Sequence, residues 1–459
     1  MARGGGLDYP KWLAYTTGVL EQENKEVRLI DAVARKWNRE TVLKDAGEFS
    51  PDLIVVDSNF ASLHNDIEVT TLLKEATGAT TVLVGPPTSQ FPDRILQGSG
   101  VDIVARCECD FTIRDIASEI EKGESVGGIK GISYKENGRI VHTPDREFAS
   151  TEDLDRIPFV SKIYKDHLDI KQYFLSQSLY PEVQIFTGRG CPYRCTFCST
   201  ATLQGKKLRA RSVKNVVDEF EYISRELPQV KEIFIEDDTF TIDKGRVKGI
   251  CEEIKRRKLN VTWSCNARAD LDYETMKQMK KAGCRLIIVG YESGNDKILK
   301  DIKKGFTTDQ MRGFTREAKK AGLMVHGDFI IGLPGETRET AGQTYRFIKE
   351  LKPNILQVAV ATPIPGTEFY DWVKNNGFLL TDDMEKSIDA QGYQNCMLSY
   401  PEFSKEDIDK HVDKTLKGYY LSPSYVPIAL SNIFRKNGLQ ELKLIMKSAK
   451  GFLKYLGGR

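Results

Sequence analysis

The sequence lacks the features that would place it in a membrane or on nucleic acid. No apolar run approaches membrane-spanning length, and the opening residues "MARGGGLDYP" contain no apolar signal core. The net charge is only +2, so we expect no nucleic-acid partner. Low-complexity tracts are also missing. These absences predict a cytoplasmic globular protein, whose cysteines stay reduced unless they bind metal or react.

A chain of 459 residues is too long for one ordinary core, and we predict four regions: 1–125, 126–180, 181–375 and 376–459. In the first region, short β-branched runs alternate with helical patterns, which predicts a doubly wound α/β sheet with parallel strands. The second region is a connector that contains a hairpin with the turn "ENG". The strands predicted in the first region are 26–32, 51–58, 80–87 and 101–107.

A second series of strands and amphipathic helices begins at residue 181 and comprises six βα units. Six parallel βα units predict a partial (β/α)6 barrel, with chemistry at the carboxyl ends of its strands. The fourth region is predicted to be helical. The six barrel strands are predicted at 182–187, 231–238, 261–268, 285–293, 324–334 and 355–363.

Three of the nine cysteines fall within eight positions of "GRGCPYRCTFCST", residues 188–200. Cys191, Cys195 and Cys198 lie directly after the first barrel strand, where chemistry is expected. Their spacing suits a cubic iron–sulfur cluster in which three irons take a thiolate and one stays open. A zinc site or incidental thiols is the alternative interpretation.

This loop, opening a six-unit βα series, resembles that of the radical S-adenosylmethionine (SAM) superfamily. The resemblance extends over about 180–375 and includes Phe197, the aromatic residue before the last cysteine, which we assign to SAM binding. It implies that a [4Fe-4S] cluster on the three cysteines binds SAM at the open iron. The reduced cluster would then cleave SAM to a 5′-deoxyadenosyl radical.

The resemblance also implies SAM-binding roles at later strand ends. The first two acids of "EDD" would bind the methionine amino group, and the arginine of "NAR" would bind the carboxylate. The glutamate of "GYESG" would accept bonds from the ribose, and the backbone of "IIGLPGET" would lie along the adenine. For each acid and the arginine, a salt bridge at the barrel rim is the alternative. These residues are Glu236 and Asp237, Arg268, Glu292, and Ile331 with Gly332.

A doubly wound domain before such a barrel resembles the cobalamin-binding subclass, through "VDSNFAS", "LVGPPTSQFPDRIL" and "DIVARCECDFTIRDIA". His64 lacks the spacing of the D-x-H-x-x-G motif, so cobalamin would bind without a histidine ligand. The subclass has a strand before its first helix, whereas five residues precede Gly6 here. The resemblance still implies bound cobalamin, at a site that a truncated or misplaced start would impair. The implied cobalamin-binding residues are Asp57, Ser58, Asn59, Gly85, Pro86 and Glu108.

Within this subclass, the chain resembles the hopanoid-biosynthesis radical enzymes that contract a sugar ring. The shared stretches are "TGRGCPYRCTFC", "WSCNARADLD" and, particularly close, "AGCRLIIVGYESGNDKILKDIKKG" and "VHGDFIIGLPGETRET". The resemblance implies ring contraction of a lipid-linked sugar or polyol. A cobalamin-dependent C-methyltransferase or ring-forming enzyme on another substrate is the alternative. A corrinoid sensor or carrier with a silent barrel, and an electron-transfer iron–sulfur protein, are two further hypotheses.

The carboxyl-terminal tail combines an apolar helical face with basic flanks. Residues 431–459 hold seven Lys or Arg residues and one acid, Glu441. Such a helix can lie on an anionic membrane, so we expect a cytoplasmic protein with peripheral contact at the inner membrane face. A helix that caps the barrel is the alternative. Partners expected from the family resemblance are a flavodoxin or ferredoxin as reductant and a lipid or small-molecule substrate.

Overall fold

The computed structural model describes residues 6–389, 392–435, 438 and 440–443. Most of the basic tail helix predicted from the sequence, including residues 444–459, lies outside these residues, so its membrane contact stays a prediction. None of the helices in the described part combines the length and apolarity that crossing a bilayer requires.

Contacts divide the chain into two units. One consists of Asp8–Gln172 with Thr202–Gly205, and the remaining described residues form the other. The predicted connector from 126 falls largely within the first unit, up to Gln172. The predicted boundaries at 125, 180 and 375 stay predictions.

The first unit contains a five-stranded sheet and eight helices among its described residues. Its strands are β1 (Leu53–Asp57), β2 (Thr80–Val84), β3 (Ile103–Ala105), β4 (Ile132–Glu136) and β5 (Arg139–His142). Its helices are α1 (Lys11–Gln22), α2 (Ala32–Arg35), α3 (Arg39–Phe49), α4 (Leu63–Thr77), α5 (Pro92–Leu96), α6 (Asp110–Lys122), α7 (Thr151–Arg156) and α8 (Val160–His167).

This sheet is doubly wound, as predicted, because successive residues of its strands pack into separate hydrophobic clusters on its two faces. Val82 and Val84 of β2 pack with residues of α6, whereas Leu83 packs with residues of α4 and α5. The strand order is β1-β2-β3-β4-β5. The first three strands are parallel, but the predicted hairpin joins as antiparallel β4 and β5. The sheet is therefore mixed, not parallel throughout.

The predicted strand at 26–32 is wrong. Residues 26–31 have no regular structure, and Asp31 caps the helix α2 by accepting a bond from the Ala34 N–H. Leu29 is buried and Val27 packs against the core. Alternating burial thus produced a strand-like pattern, although the segment pairs with no strand of the described sheet.

The second unit contains the predicted barrel strands. Its strands are β6 (Glu182–Ile185), β7 (Gly188–Arg189), β8 (Arg209–Ala210), β9 (Glu232–Ile235), β10 (Trp263–Ala267), β11 (Cys284–Glu292), β12 (Met324–Ile331) and β13 (Ile355–Val360). The helices from this part of the chain are α9 (Thr200–Leu203), α10 (Val213–Glu226), α11 (Lys244–Arg256), α12 (Tyr273–Lys281), α13 (Asp296–Asp301), α14 (Thr308–Lys320), α15 (Arg338–Leu351), α16 (Glu368–Asn375), α17 (Lys405–Tyr420) and α18 (Val426–Ile433).

Six of these strands form one parallel sheet in the order β13-β12-β11-β10-β9-β6. This confirms the six predicted strands and the partial barrel, and α17 and α18 confirm a helical carboxyl-terminal region. An apolar cluster of Phe234, Leu286, Ile288 and Met324 packs on the interior face of the sheet. It fills the amino-terminal part of the interior, so polar chemistry is left to the carboxyl ends.

The edge strand β13 is covered by polar side chains of the carboxyl-terminal region. The Tyr420 hydroxyl donates to the Leu356 carbonyl and accepts from the Leu356 N–H, both at 2.8 Å. The side-chain amide of Gln394 bonds in the same way to the carbonyl and N–H of Val360, at 2.8 and 2.9 Å. These side chains satisfy backbone groups that would otherwise offer a free sheet edge.

Candidate functional site

The three clustered cysteines lie on a loop that is held at both of its ends. The carboxylate of Asp238, which follows β9, accepts a bond from the Thr200 hydroxyl at 2.8 Å and another from the Gly190 N–H. Inside the loop, the Cys198 N–H donates to the Cys195 carbonyl at 3.1 Å. Asp238, the third acid of "EDD", was not predicted from the sequence as a residue that fixes this loop.

The thiols of Cys191, Cys195 and Cys198 fit an iron–sulfur cluster. All three are half-buried and unbonded to each other as disulfides. Burial raises the pKa of Cys195, and Lys304 and Arg268 oppose this increase because they favour the thiolate. The described residues hold no group of three His, Cys, Asp or Glu side chains arranged around one ion. Separate thiolates suit a cluster, in which each iron takes its own ligand, better than a single zinc ion.

Arg268 lies beside this loop and is held between two aromatic rings. Its guanidinium carbon is 3.4 Å from the ring centre of Tyr193, within the cysteine loop, and 4.9 Å from that of Phe306. One guanidinium nitrogen donates to the Lys304 carbonyl at 2.7 Å. Stacking and hydrogen bonds together fix the planar group in one orientation. The sequence predicted Arg268 but missed both rings, which only the folded chain brings together.

Glu292, at the end of β11, forms a buried ion pair with Lys304. Lys304 Nζ lies 2.7 Å from Glu292 Oε1, and both residues are buried. Burial raises the pKa of Glu292, and the lysine opposes that increase. A side chain at Gly290 would come 2.3 Å from Glu292 Oε1, so the close approach requires glycine. The sequence missed Lys304, because a lysine between two helices carries no sign of burial.

The two acids predicted for the SAM amino group have different environments. Asp237 is fully buried, and its two oxygens accept bonds from the Thr187 N–H and hydroxyl, both at 2.5 Å. It thereby joins the ends of β9 and β6. Glu236 is half-buried and lies on the same face of β9 as Phe234, in the interior. Of the two residues, Glu236 is thus the one on the interior face.

The loop after β12 is fixed through the backbone of Gly332. Its N–H donates to Glu336 Oε2 at 2.5 Å, and its carbonyl accepts from the Tyr400 hydroxyl at 2.7 Å. The side chain of Ile331 is fully buried and alternates away from the interior face. Burial raises the pKa of Glu336 to about 8, although hydrogen bonds from the backbone N–H groups of Gly332 and Leu333 favour the charged form and oppose this increase.

Stability should therefore depend on pH through Glu336. Its pKa rises from the usual 4.5 to about 8 on folding, so the folded state keeps a proton that the unfolded state has released, and stability falls as pH rises through this window. The variant Glu336→Gln cannot ionise. Urea unfolding measured between about pH 5 and about pH 9 should show a smaller loss of stability for the variant than for the parent protein. Parallel curves for the two proteins would contradict this assignment.

The loops predicted to bind cobalamin lie at one end of the first sheet, after β1, β2 and β3. The Ser58 N–H donates to the Val84 carbonyl at 3.0 Å, next to Gly85 and Pro86. Ser58 itself is buried, and its hydroxyl donates to Asp66 at 2.7 Å. His64 is exposed, as predicted.

Other residues of these loops differ in burial. Burial raises the pKa of Asp57 to about 7, and the nearby Asp66 adds to the increase. Asn59 is exposed, and its side chain accepts a bond from the Ala61 N–H. Glu108 accepts a bond from the Ala149 N–H at 3.0 Å. The predicted residues thus share one sheet end, but Glu108 also fixes the backbone that follows the hairpin.

Comparison with known proteins assigns the chain to a family. The radical SAM superfamily model matches residues 185–348. The chain is 31% identical over 450 residues to an uncharacterized methyltransferase, PH0819, of Pyrococcus horikoshii, covering 97% of this chain and 93% of that protein. It is 26% identical to the cytidylyl-2-hydroxyethylphosphonate methyltransferase of Streptomyces wedmorensis, over 86% and 82% of the two chains.

A solved structure has the same fold over most of the chain. It is the radical SAM methyltransferase TsrM of Kitasatospora setae, whose structure contains cobalamin and a [4Fe-4S] cluster. The TM-score is 0.75 at 18% identity, covering 91% of this chain and 87% of TsrM. The chain belongs to the radical SAM superfamily and is a radical SAM enzyme, because it combines the cysteine loop and the six-stranded half-barrel with similarity to PH0819 over nearly its whole length.

Proposed function

We propose that the protein is a cobalamin-dependent radical SAM methyltransferase. The observation that carries the proposal is its likeness to PH0819, a methyltransferase by name, over 97% of this chain. The Streptomyces wedmorensis relative is also a methyltransferase, and the fold matches TsrM, which binds cobalamin. These relatives favour the alternative in the sequence analysis, C-methylation, over ring contraction.

In this proposal, Cys191, Cys195 and Cys198 would hold a [4Fe-4S] cluster, which would supply the electron for cleaving SAM. Arg268, fixed between Tyr193 and Phe306, presents its guanidinium to the methionine carboxylate. The buried Glu292 accepts bonds from the ribose hydroxyls, and Glu236 binds the methionine amino group. The backbone at Gly332 borders the adenine.

The first unit would bind cobalamin, the methyl carrier, through the loops after β1, β2 and β3. These loops carry the short polar side chain of the exposed Asn59 and the carboxyl group of Asp57, whose pKa burial raises to about 7. A flavodoxin or ferredoxin would deliver the electron. Ring contraction of a lipid-linked sugar stays a prediction, as does membrane contact through the tail.

Isotope transfer from SAM tests the proposal. The enzyme is reconstituted anaerobically with iron, sulfide and cobalamin, then mixed with trideuteromethyl SAM, reduced flavodoxin and an extract of cells that lack the gene. We expect 5′-deoxyadenosine, bound corrinoid and a product that carries the labelled methyl group. Mass spectrometry of the reaction, with an unreduced sample as control, measures 5′-deoxyadenosine and the product, and the absorbance of the desalted enzyme measures the bound corrinoid.

Each other result assigns a different function. A product without added carbon would replace methyl transfer by rearrangement. Corrinoid binding without 5′-deoxyadenosine would indicate a carrier. A cluster whose spectrum SAM does not change would indicate electron transfer.

A further inference from the structure

Two polar residues on the interior face of β12 are not used by the functions assigned above. His326 and Asp328 alternate with Phe329, which stacks on Tyr291 at 5.5 Å on the outer face. They therefore point to the interior, like Met324 of the apolar cluster. In the neighbouring strand β11, Ile288 lies opposite His326 and Gly290 lies opposite Asp328.

This pair has unused hydrogen-bonding capacity. His326 is 4% exposed, and within the described residues neither of its ring nitrogens makes a hydrogen bond. Its Nε2 lies 3.2 Å from Asp328 Oδ1, which is likewise unbonded among those residues. A buried polar group without a partner costs about 1–3 kcal/mol, so a bound molecule that satisfies the pair would recover this free energy.

The nearby cations are already engaged elsewhere. Lys304 is paired with Glu292 at 2.7 Å, and Arg268 bonds to the Lys304 carbonyl. In the described structure, the salt bridges of Asp328 include none to a lysine or arginine. Its side chain is 29% exposed and can thus be reached from the interior of the half-barrel.

The chemistry of the pair determines which ligand it accepts. An ionised carboxylate only accepts hydrogen bonds, and a neutral imidazole has one acceptor nitrogen beside its one N–H. The acceptors of this pair require a ligand that donates.

We infer that His326 and Asp328 form a substrate subsite that binds a hydroxyl or amine group of the molecule to be methylated. The inference rests on the proposed function, because it treats the half-barrel interior as the place where the substrate binds. A donor anchored there fixes the neighbouring C–H bonds of the substrate relative to Glu292 and Arg268 across the sheet.

The test measures substrate-dependent SAM cleavage, which does not require methyl transfer. Reconstituted enzyme is assayed for 5′-deoxyadenosine with and without aqueous and lipid extracts of cells that lack the gene. We expect Asp328→Asn and His326→Gln to reduce the extract-dependent increase at least about tenfold, the effect of losing one good bond to a charged group. Iron content should stay unchanged, and the increase is expressed relative to each variant's own cleavage without extract.

The control Ile330→Val changes the next interior position of β12 and should keep the full increase. An increase that survives in both polar variants would overturn the subsite, and so would an extract that gives the parent enzyme no increase. If the increase appears without a labelled methyl product, methyl transfer fails while the variants still test the subsite.

Chemical capping of the extract identifies the donor. Acetylation in water caps amines and leaves hydroxyl groups, so loss of the increase would assign an amine and survival would assign a hydroxyl. Acetylation in pyridine caps both groups and should abolish the increase. Survival after that treatment would exclude a donor ligand.

Discussion

The variant Cys195→Ala should lower SAM cleavage to the level of an assay without protein. Cys195 is one of three thiolates that can hold the cluster, and its loop is tied to the chain by a bond from the Thr196 N–H to the Ile302 carbonyl at 3.1 Å. Without this thiolate, a second iron loses its protein ligand. Iron content should fall from about four per chain, and the broad visible absorbance of the reconstituted enzyme should disappear with the 5′-deoxyadenosine.

A matched control separates loss of the ligand from loss of a buried thiol. Cys251 lies on α11, is 1% exposed and has no assigned chemistry. Cys251→Ala should cost some stability but keep the iron content and the cleavage of SAM. If Cys195→Ala still produced 5′-deoxyadenosine at the rate of this control, the cluster assignment would be wrong.

The variant Gly85→Ala should be the most disruptive single-methyl change in the first unit. Gly85 has φ +105, and an added Cβ would lie 2.0 Å from the Ser58 carbonyl oxygen and 2.8 Å from Asp57 Oδ1. The Ser58 backbone cannot retreat easily, because its N–H is bonded to Val84. We expect the free energy of unfolding to fall by at least about 3 kcal/mol, because the clash adds to an unfavourable φ. Corrinoid binding should be lost as well.

Gly78 offers a control with the same backbone requirement and no clash. It ends α4 with φ +75, and an added Cβ would meet nothing within 4 Å. Gly78→Ala should therefore cost about 1 kcal/mol and keep corrinoid binding. Urea unfolding followed by circular dichroism, with corrinoid absorbance, measures both variants. Equal losses of unfolding free energy in the two variants would show that the close contact between Gly85 and Ser58 does not exclude a side chain.

The half-barrel could be predicted from the sequence because its signals are local. Each of its six strands is an apolar run between amphipathic helices, and parallel strands bring their carboxyl ends to one edge. The cysteine loop follows the first of these strands, so its place at that edge could be inferred without knowing any long-range contact. The segment 26–32 shows the limit of such signals. Alternating burial predicts an extended segment, but pairing depends on a neighbouring strand elsewhere in the chain.

Individual site residues were harder to predict, since their roles come from packing. Glu236 and Asp237 are adjacent in sequence and chemically alike. Which of them bonds to Thr187 depends only on the direction in which each side chain leaves the end of β9. The pairing of Lys304 with Glu292 joins a loop to a strand end. His326 was missed for the same reason, because a histidine within an apolar run gives no indication that its nitrogens lack partners.

The covered edge of β13 limits how the protein can be shortened. Tyr420 and Gln394 both lie beyond residue 375, the predicted end of the barrel region, yet their side chains bond to the backbone of Leu356 and Val360. A fragment that stops at 375 would expose two amide–carbonyl pairs on an edge strand, a template for adding strands from other molecules. Expression of the half-barrel alone should therefore favour aggregation, and any dissected version needs to extend past the tyrosine.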